Sequence, residues 1–148
     1  MYQRKIFILD QLIKTGLIIG GSITLIIGIA HFFMPSIAFS EVVTENLPKE
    51  LQDHFVYLAI YMLGTFLCAL GLISFYLVRI SKQQSIIFPT LILFFVWVSR
   101  IVFEIFYPVK IVLFGVDNPT TSILIVASIV LISYGLVFFS IKLKRSNA

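Results

Sequence analysis

Four long apolar runs constrain this chain more than any other feature, at 17–39, 55–78, 86–107 and 121–141. Each exceeds the roughly 18–20 residues that a helix rising about 1.5 Å per residue needs to cross about 30 Å of hydrocarbon. Inside a bilayer the backbone N–H and C=O groups must be satisfied within the protein, and an isolated run of this length does so as a helix. The expected architecture is an all-α integral membrane four-helix bundle, with 1–148 as a single domain. Composition agrees, because 59% of the residues are hydrophobic, 12% are charged and the mean hydropathy is +1.06. A soluble domain of this size needs more polar surface to cover its core. A cleaved signal peptide is the alternative for the first run. Its apolar stretch is longer than the about 7–15 residues of a usual signal core, and "FFMPSIAFSE" is a poor small-residue cleavage site, so a retained helix is expected.

The charges between the runs set an orientation. Arg4, Lys5 and Lys14 precede the first run, Arg79 and Lys82 lie in the second loop, and Lys142, Lys144 and Arg145 close the chain. The first loop carries Glu41, Glu45, Glu50 and Asp53 against Lys49, and in the third Lys110 and Asp117 cancel. Eight of the eleven Lys and Arg residues therefore fall on one side. The positive-inside rule makes that side cytoplasmic, giving a multi-pass cell-membrane protein with N- and C-termini both inside. The net charge of +4 is then a topology signal, helped by anionic lipid, and implies no nucleic-acid partner.

Near the N-terminus, "IFILDQLIK" places Asp10 four residues before Lys14, a favourable order for an ion pair along one helix. Either the first helix starts early or a short interfacial helix precedes it. A continuous helix is expected, since no Gly or Pro separates the parts. In the first loop, Thr44 or Asn46 is placed to cap a short helix.

Helices in lipid gain little by burying apolar side chains against each other, so small residues and polar contacts decide which faces meet. The first run offers Gly16, Gly20, Thr24 and Gly28 as one stripe, extended by His31 and Pro35. The second offers Tyr57, Tyr61, Gly64, Cys68 and Gly71, the spacing of a left-handed seam. The fourth offers Ser128 and Gly135, with Tyr134 beside them. Cys68 is the single cysteine, which excludes an intramolecular disulfide, a CxxC redox pair and a thiolate metal cage.

The unusual residues are Arg100 and Glu104, four apart in "FFVWVSRIVFEIFYP". An arginine near the bilayer centre costs about 2.5–3.5 kcal/mol even on the lenient insertion scale. One reading is a structural ion pair within the helix, with Arg100 snorkelling to the headgroups. The other is a polar pocket in the outer half of the bundle, where Arg100 holds an anionic or carbonyl-bearing group and Glu104 orients it or carries a proton. By depth, His31, Tyr57 and Tyr61 fall in the same layer, so the candidate ligand-binding residues are Arg100, Glu104, His31, Tyr61 and Tyr57. One His and one Glu are too few for a metal site, and His54 as a third ligand has no supporting spacing. Ser99 beside Arg100 has no base at a helical interval, and no catalytic constellation or phosphate-cradling Gly loop is present in the sequence. No catalytic residue and no metal ligand is assigned, and no cofactor is identified.

With these motifs in place, "GIAHFFMPSIAF", "YMLGTFLCALGLISFYL" and "VSRIVFE" resemble the DoxX-like group of small four-helix bacterial membrane proteins. The resemblance implies a compact four-helix bundle and a loose association with redox-linked or assembly roles, and it carries over no site residue.

The leading functional expectation is a membrane protein that binds a lipid-like or other amphipathic small molecule in the outer-half pocket, as an accessory or transport subunit. Its partners are then the bilayer, that molecule, and a second copy or another membrane protein. The alternatives are a membrane-embedded enzyme using Glu104 and His31 as acid and base, and a structural or assembly partner of another membrane protein.

Overall fold

The computed structural model describes residues 2–37, 48, 50, 58–81, 86–109 and 116–146. Four helices carry the fold: α1 Tyr2–Ile37, α2 Leu58–Arg79, α3 Ile87–Phe106 and α4 Pro119–Ser146. All four are long and apolar enough to cross a membrane. Their outer surfaces are apolar as well, with Ile26, Met62, Phe88, Phe95, Ile132 and Phe139 exposed. Such a surface suits a lipid environment, where water does not penalise it. The short loop helix expected from Thr44 or Asn46 lies outside the described residues, as do Tyr57 and His54.

The first helix runs unbroken through "IFILDQLIK" and on past Pro35. At 36 residues it extends about 54 Å, well beyond one hydrocarbon thickness. Its early part packs against the end of α4, which has 28 residues and carries Lys144 and Arg145 in its last turn. There Lys144 Nζ donates to Asp10 Oδ1 at 2.6 Å. The acid of the first helix thus pairs across the bundle with α4, and not with Lys14 one turn along as its spacing suggested. The same contact brings the start of α1 and the end of α4 to one end of the bundle.

Close packing follows the order α2, α1, α4, α3, with α1 against both α2 and α4 and with α3 against α4. Among the described residues, α2 and α3 share no interface of comparable extent, although they are consecutive in the chain. The cause of the α1–α2 intimacy is legible in the glycines. A methyl group at Gly28 would lie 2.7 Å from the backbone nitrogen of Cys68, and one at Gly21 would lie 2.7 Å from Ser74 Cβ. On the facing helix, Gly64 and Gly71 meet Gly28 and Gly21 in turn, each approaching the partner's carbonyl oxygen to 3.0 Å from its Cβ position. A seven-residue spacing on both members keeps an antiparallel left-handed pair in contact over two turns.

The stripe expected on α1 is divided between two neighbours. Gly16 and Gly20 face Ser133, Tyr134 and Val137 of α4, whereas Gly28 faces α2, and Gly21, outside the stripe, faces α2 too. One helix sandwiched between two others needs small residues on two faces, which a single four-residue stripe does not supply. On α2, Gly64, Cys68 and Gly71 do form the seam against α1. On α4, Ala127, Val130, Tyr134, Val137 and Ile141 are buried at alternating spacings of three and four. Gly135 is in ordinary contact with Phe94.

Candidate functional site

On α3 the residues Thr90, Leu93, Trp97, Arg100 and Glu104 also alternate by three and four, which puts them on one seam. Four of the five are buried. Arg100 is the exception, with 40% of its side chain exposed, while Glu104 one turn further is 1% exposed. Arg100 therefore shares the bundle-facing seam with buried residues, and its lipid-facing neighbours are Ser99, Val102 and Phe103.

Depth along the helix axis placed Glu104 nearer the membrane surface than Arg100, yet it is the more deeply buried of the two. The chain beyond α3 covers it. Tyr107 ends the helix with its N–H on the carbonyl of Phe103 at 2.8 Å, and the chain bends there. Val109 N–H donates to Glu104 Oε1 at 3.3 Å. Thr120 Oγ1 donates to the same oxygen at 2.8 Å and also lies 3.1 Å from the carbonyl of Val109. A hydroxyl has one proton, and the shorter, charge-assisted contact to the carboxylate takes it. On the other side, Arg100 Nη2 lies 2.7 Å from Glu104 Oε2. Oε2 makes no aligned hydrogen bond, so that contact is ionic in character.

Thr120 is positioned by a short sequence, "DNPTT". Asn118 Oδ1 accepts from Thr121 N–H at 3.4 Å and Pro119 begins α4, so Asn118 serves as N-cap and Pro119 fills the first helical position. Thr120 follows in the first turn. A carboxylate in the last turn of a helix opposes the helix dipole, and Glu104 sits in the last turn of α3, which has no base there. The start of α4 supplies the compensation, because its positive end and the Thr120 hydroxyl meet the carboxylate. Glu104 is thereby a fixed counter-ion for a much more accessible arginine. A guanidinium carries five N–H donors, and among the described residues Glu104 is the acid that meets it.

The remaining expected site residues lie elsewhere in the contact network. His31 Nδ1 donates to the carbonyl of Ile27 at 2.7 Å, so Nδ1 carries a proton. Its Cβ packs on Gly64 of α2. Tyr61 is 41% exposed and its ring stacks on Phe32 with centroids 6.0 Å apart. His31 and Tyr61 thus make these contacts between α1 and α2, and Arg100 and Glu104 make theirs between α3 and the start of α4. Tyr57 lies outside the described residues. Ser99 is exposed and donates to the carbonyl of Phe95 at 2.9 Å. Among the described residues, no three His, Cys, Asp or Glu side chains gather as a metal site.

Two features escaped the sequence. Thr120 and Val109 are separated from Glu104 by 16 and five residues, and no periodicity connects them. The second is the hydroxyl cluster around Tyr134, a residue expected on the packing face of the fourth run, whose side chain is fully buried between three helices. Its hydroxyl lies 2.7 Å from Ser74 Oγ and 3.5 Å from Thr24 Oγ1. Ser74 and Thr24 already donate to the carbonyls of Leu70 and Gly20, so the Tyr134 proton goes to Ser74. Gly20 leaves room for that ring, since a Cβ there would lie 2.8 Å from Tyr134 Cζ. This cluster is neutral, with its hydroxyls bonded to one another and to backbone carbonyls, and it ties α1, α2 and α4 at mid-bundle.

No family model matches the chain, and neither a curated protein nor a solved structure is significantly similar to it.

Proposed function

We propose that this multi-pass membrane protein binds an amphipathic small molecule, with Arg100 holding its anionic or carbonyl-bearing head, and acts as an accessory or transport subunit. The observation that carries the reading is the asymmetry of the ion pair: Glu104 is 1% exposed and Arg100 40% exposed on a bundle-facing seam. A purely neutralising pair has no need of a fully buried carboxylate held by Thr120 and Val109. A carboxylate fixed in that way orients the guanidinium and leaves donors of its planar fork for a carboxylate or phosphate. The basic flanks at 4–5, 79–82 and 142–145 favour cytoplasmic termini in the cell membrane, which puts the Arg100 end of the bundle at the outer leaflet. The DoxX-like resemblance is compatible with this role and rests on the sequence motifs alone.

The test is thermal unfolding of the purified protein in neutral detergent, with and without oleate or an anionic phospholipid. The wild-type chain should gain stability with either additive, and Arg100→Ala should stay monodisperse and gain none. Equal stabilisation of both proteins removes Arg100 from the site. Failure of Arg100→Ala, together with Arg100→Lys, to fold at all would favour the structural ion pair.

A further inference from the structure

Trp97 is the single tryptophan of the chain. It is 4% exposed, and its indole Nε1 has no hydrogen-bond partner. Buried donors of this kind are nearly always met by protein, water or a ligand. A buried water typically needs about three hydrogen bonds; of the residues one turn either side of Trp97 on its seam, Leu93 offers none, and Arg100 offers donors but no acceptor. The nearest seam hydroxyl, Thr90, already donates to the carbonyl of Ile86 at 2.8 Å. A single acceptor atom carried by an otherwise apolar molecule satisfies the indole better than water does.

Three residues separate Trp97 from Arg100 on one seam, a rise of about 4.5 Å. Arg100 is nearer the end of α3 where the polar connection to α4 begins, and Trp97 is one turn deeper. The order from membrane surface to interior is therefore cation, then neutral N–H donor. That is the order in which a glycerophospholipid presents phosphate and then acyl ester. Among the described residues, α3 packs on α4 and shares no interface of comparable extent with α2. A fatty acid, with one polar group, engages one of the two positions, and free phosphate engages Arg100 alone.

We propose that the α3 seam binds an anionic diacyl glycerophospholipid, its phosphate on the Arg100 guanidinium and an acyl-ester carbonyl accepting from Trp97 Nε1. The assignment rests on the reading of Arg100 as an anion-holding group and adds to it the class of ligand. It also requires the seam to open slightly around the indole, so binding should change the emission of the one tryptophan.

The experiment titrates the purified protein in neutral detergent with dioleoyl phosphatidylglycerol, its dialkyl-ether analogue and inorganic phosphate, reading tryptophan fluorescence. The ester lipid should produce a saturable change and bind about three- to tenfold more tightly than the ether analogue, the worth of one neutral hydrogen bond. Trp97→Phe, followed by thermal stabilisation, should hold the two lipids equally well. Arg100→Ala should bind neither. Equal binding of ester and ether lipids to the wild-type chain overturns the Trp97 contact and leaves the Arg100 reading intact, and this comparison decides even if Trp97→Phe fails to fold. Undiminished binding by Arg100→Ala overturns both. A full response to inorganic phosphate overturns the lipid assignment in favour of a free anion.

Discussion

Replacing Thr120 by valine removes one hydroxyl and keeps the shape of the side chain. In the native protein that hydroxyl is the shortest contact to Glu104 Oε1, at 2.8 Å, and Val109 N–H at 3.3 Å is the other. Glu104 is 1% exposed, so water does not take the place of the lost donor. A hydrogen bond to a charged group contributes about 1.5–3 kcal/mol, and we expect Thr120→Val to lose about 2 kcal/mol of stability. Glu104→Gln tests the same contact from the other side. Its amide oxygen can still accept from Thr120 and Val109, but its NH2 group then faces Arg100 Nη2, donor against donor, where the ion pair is now 2.7 Å. Arg100 is substantially exposed and swings away, which limits the cost of that variant to about 1–2 kcal/mol. In the double variant the valine no longer strands a carboxylate. The two losses should therefore fall short of additivity by about 1 kcal/mol. Equilibrium unfolding in mixed micelles of the wild-type, single and double variants measures all three quantities. A Thr120→Val loss below about 0.5 kcal/mol, or strict additivity, would refute the claim that α4 holds Glu104 in place.

Other interfaces give contrasting expectations under the same assay. Gly28→Ala drives a methyl to 2.7 Å from the backbone nitrogen of Cys68 and should cost about 1–3 kcal/mol, whereas Gly135→Ala, with Phe94 at 3.6 Å, should change stability by less than about 0.5 kcal/mol. Tyr134→Phe strands no partner, because Ser74 and Thr24 retain their carbonyl acceptors, so its loss should be only about 0.5–1.5 kcal/mol. A larger loss would mean that the hydroxyl does more than bridge helices. Asp10→Asn should cost about 0.2–1 kcal/mol, an effect that shrinks in high salt, since the Lys144 partner is partly exposed. Salt-independent loss would instead indicate a buried, unscreened pair.

What sequence made visible here is what lies within a single helix. The four spans follow from run length alone, and the α2 seam through Gly64, Cys68 and Gly71 follows from spacing. The Arg100–Glu104 contact is likewise a matter of one helical turn. Spacing does not say which neighbour a face meets. The α1 glycines illustrate this, since Gly16 and Gly20 serve α4 while Gly21 and Gly28 serve α2. Asp10 illustrates it again, because a residue 134 positions away reaches it in place of the one four positions away. Depth also proved a poor guide to burial. The end of α3 is capped by the chain that follows it, so Glu104 is enclosed despite standing in the last turn of its helix. The asymmetry on which the functional reading depends comes from Asn118 and Pro119 setting the start of α4, a capping signal whose consequence is felt on another helix.

Native mass spectrometry of the protein released from neutral detergent, after exposure to a mixture of anionic and zwitterionic phospholipids, tests the central claim most directly. A site built by Arg100 and steadied by Glu104 should retain one anionic lipid per chain. Arg100→Ala should lose that adduct, and Glu104→Gln should weaken it. Identical adducts on the wild-type chain and on Arg100→Ala would contradict the account and leave the ion pair a structural element of α3.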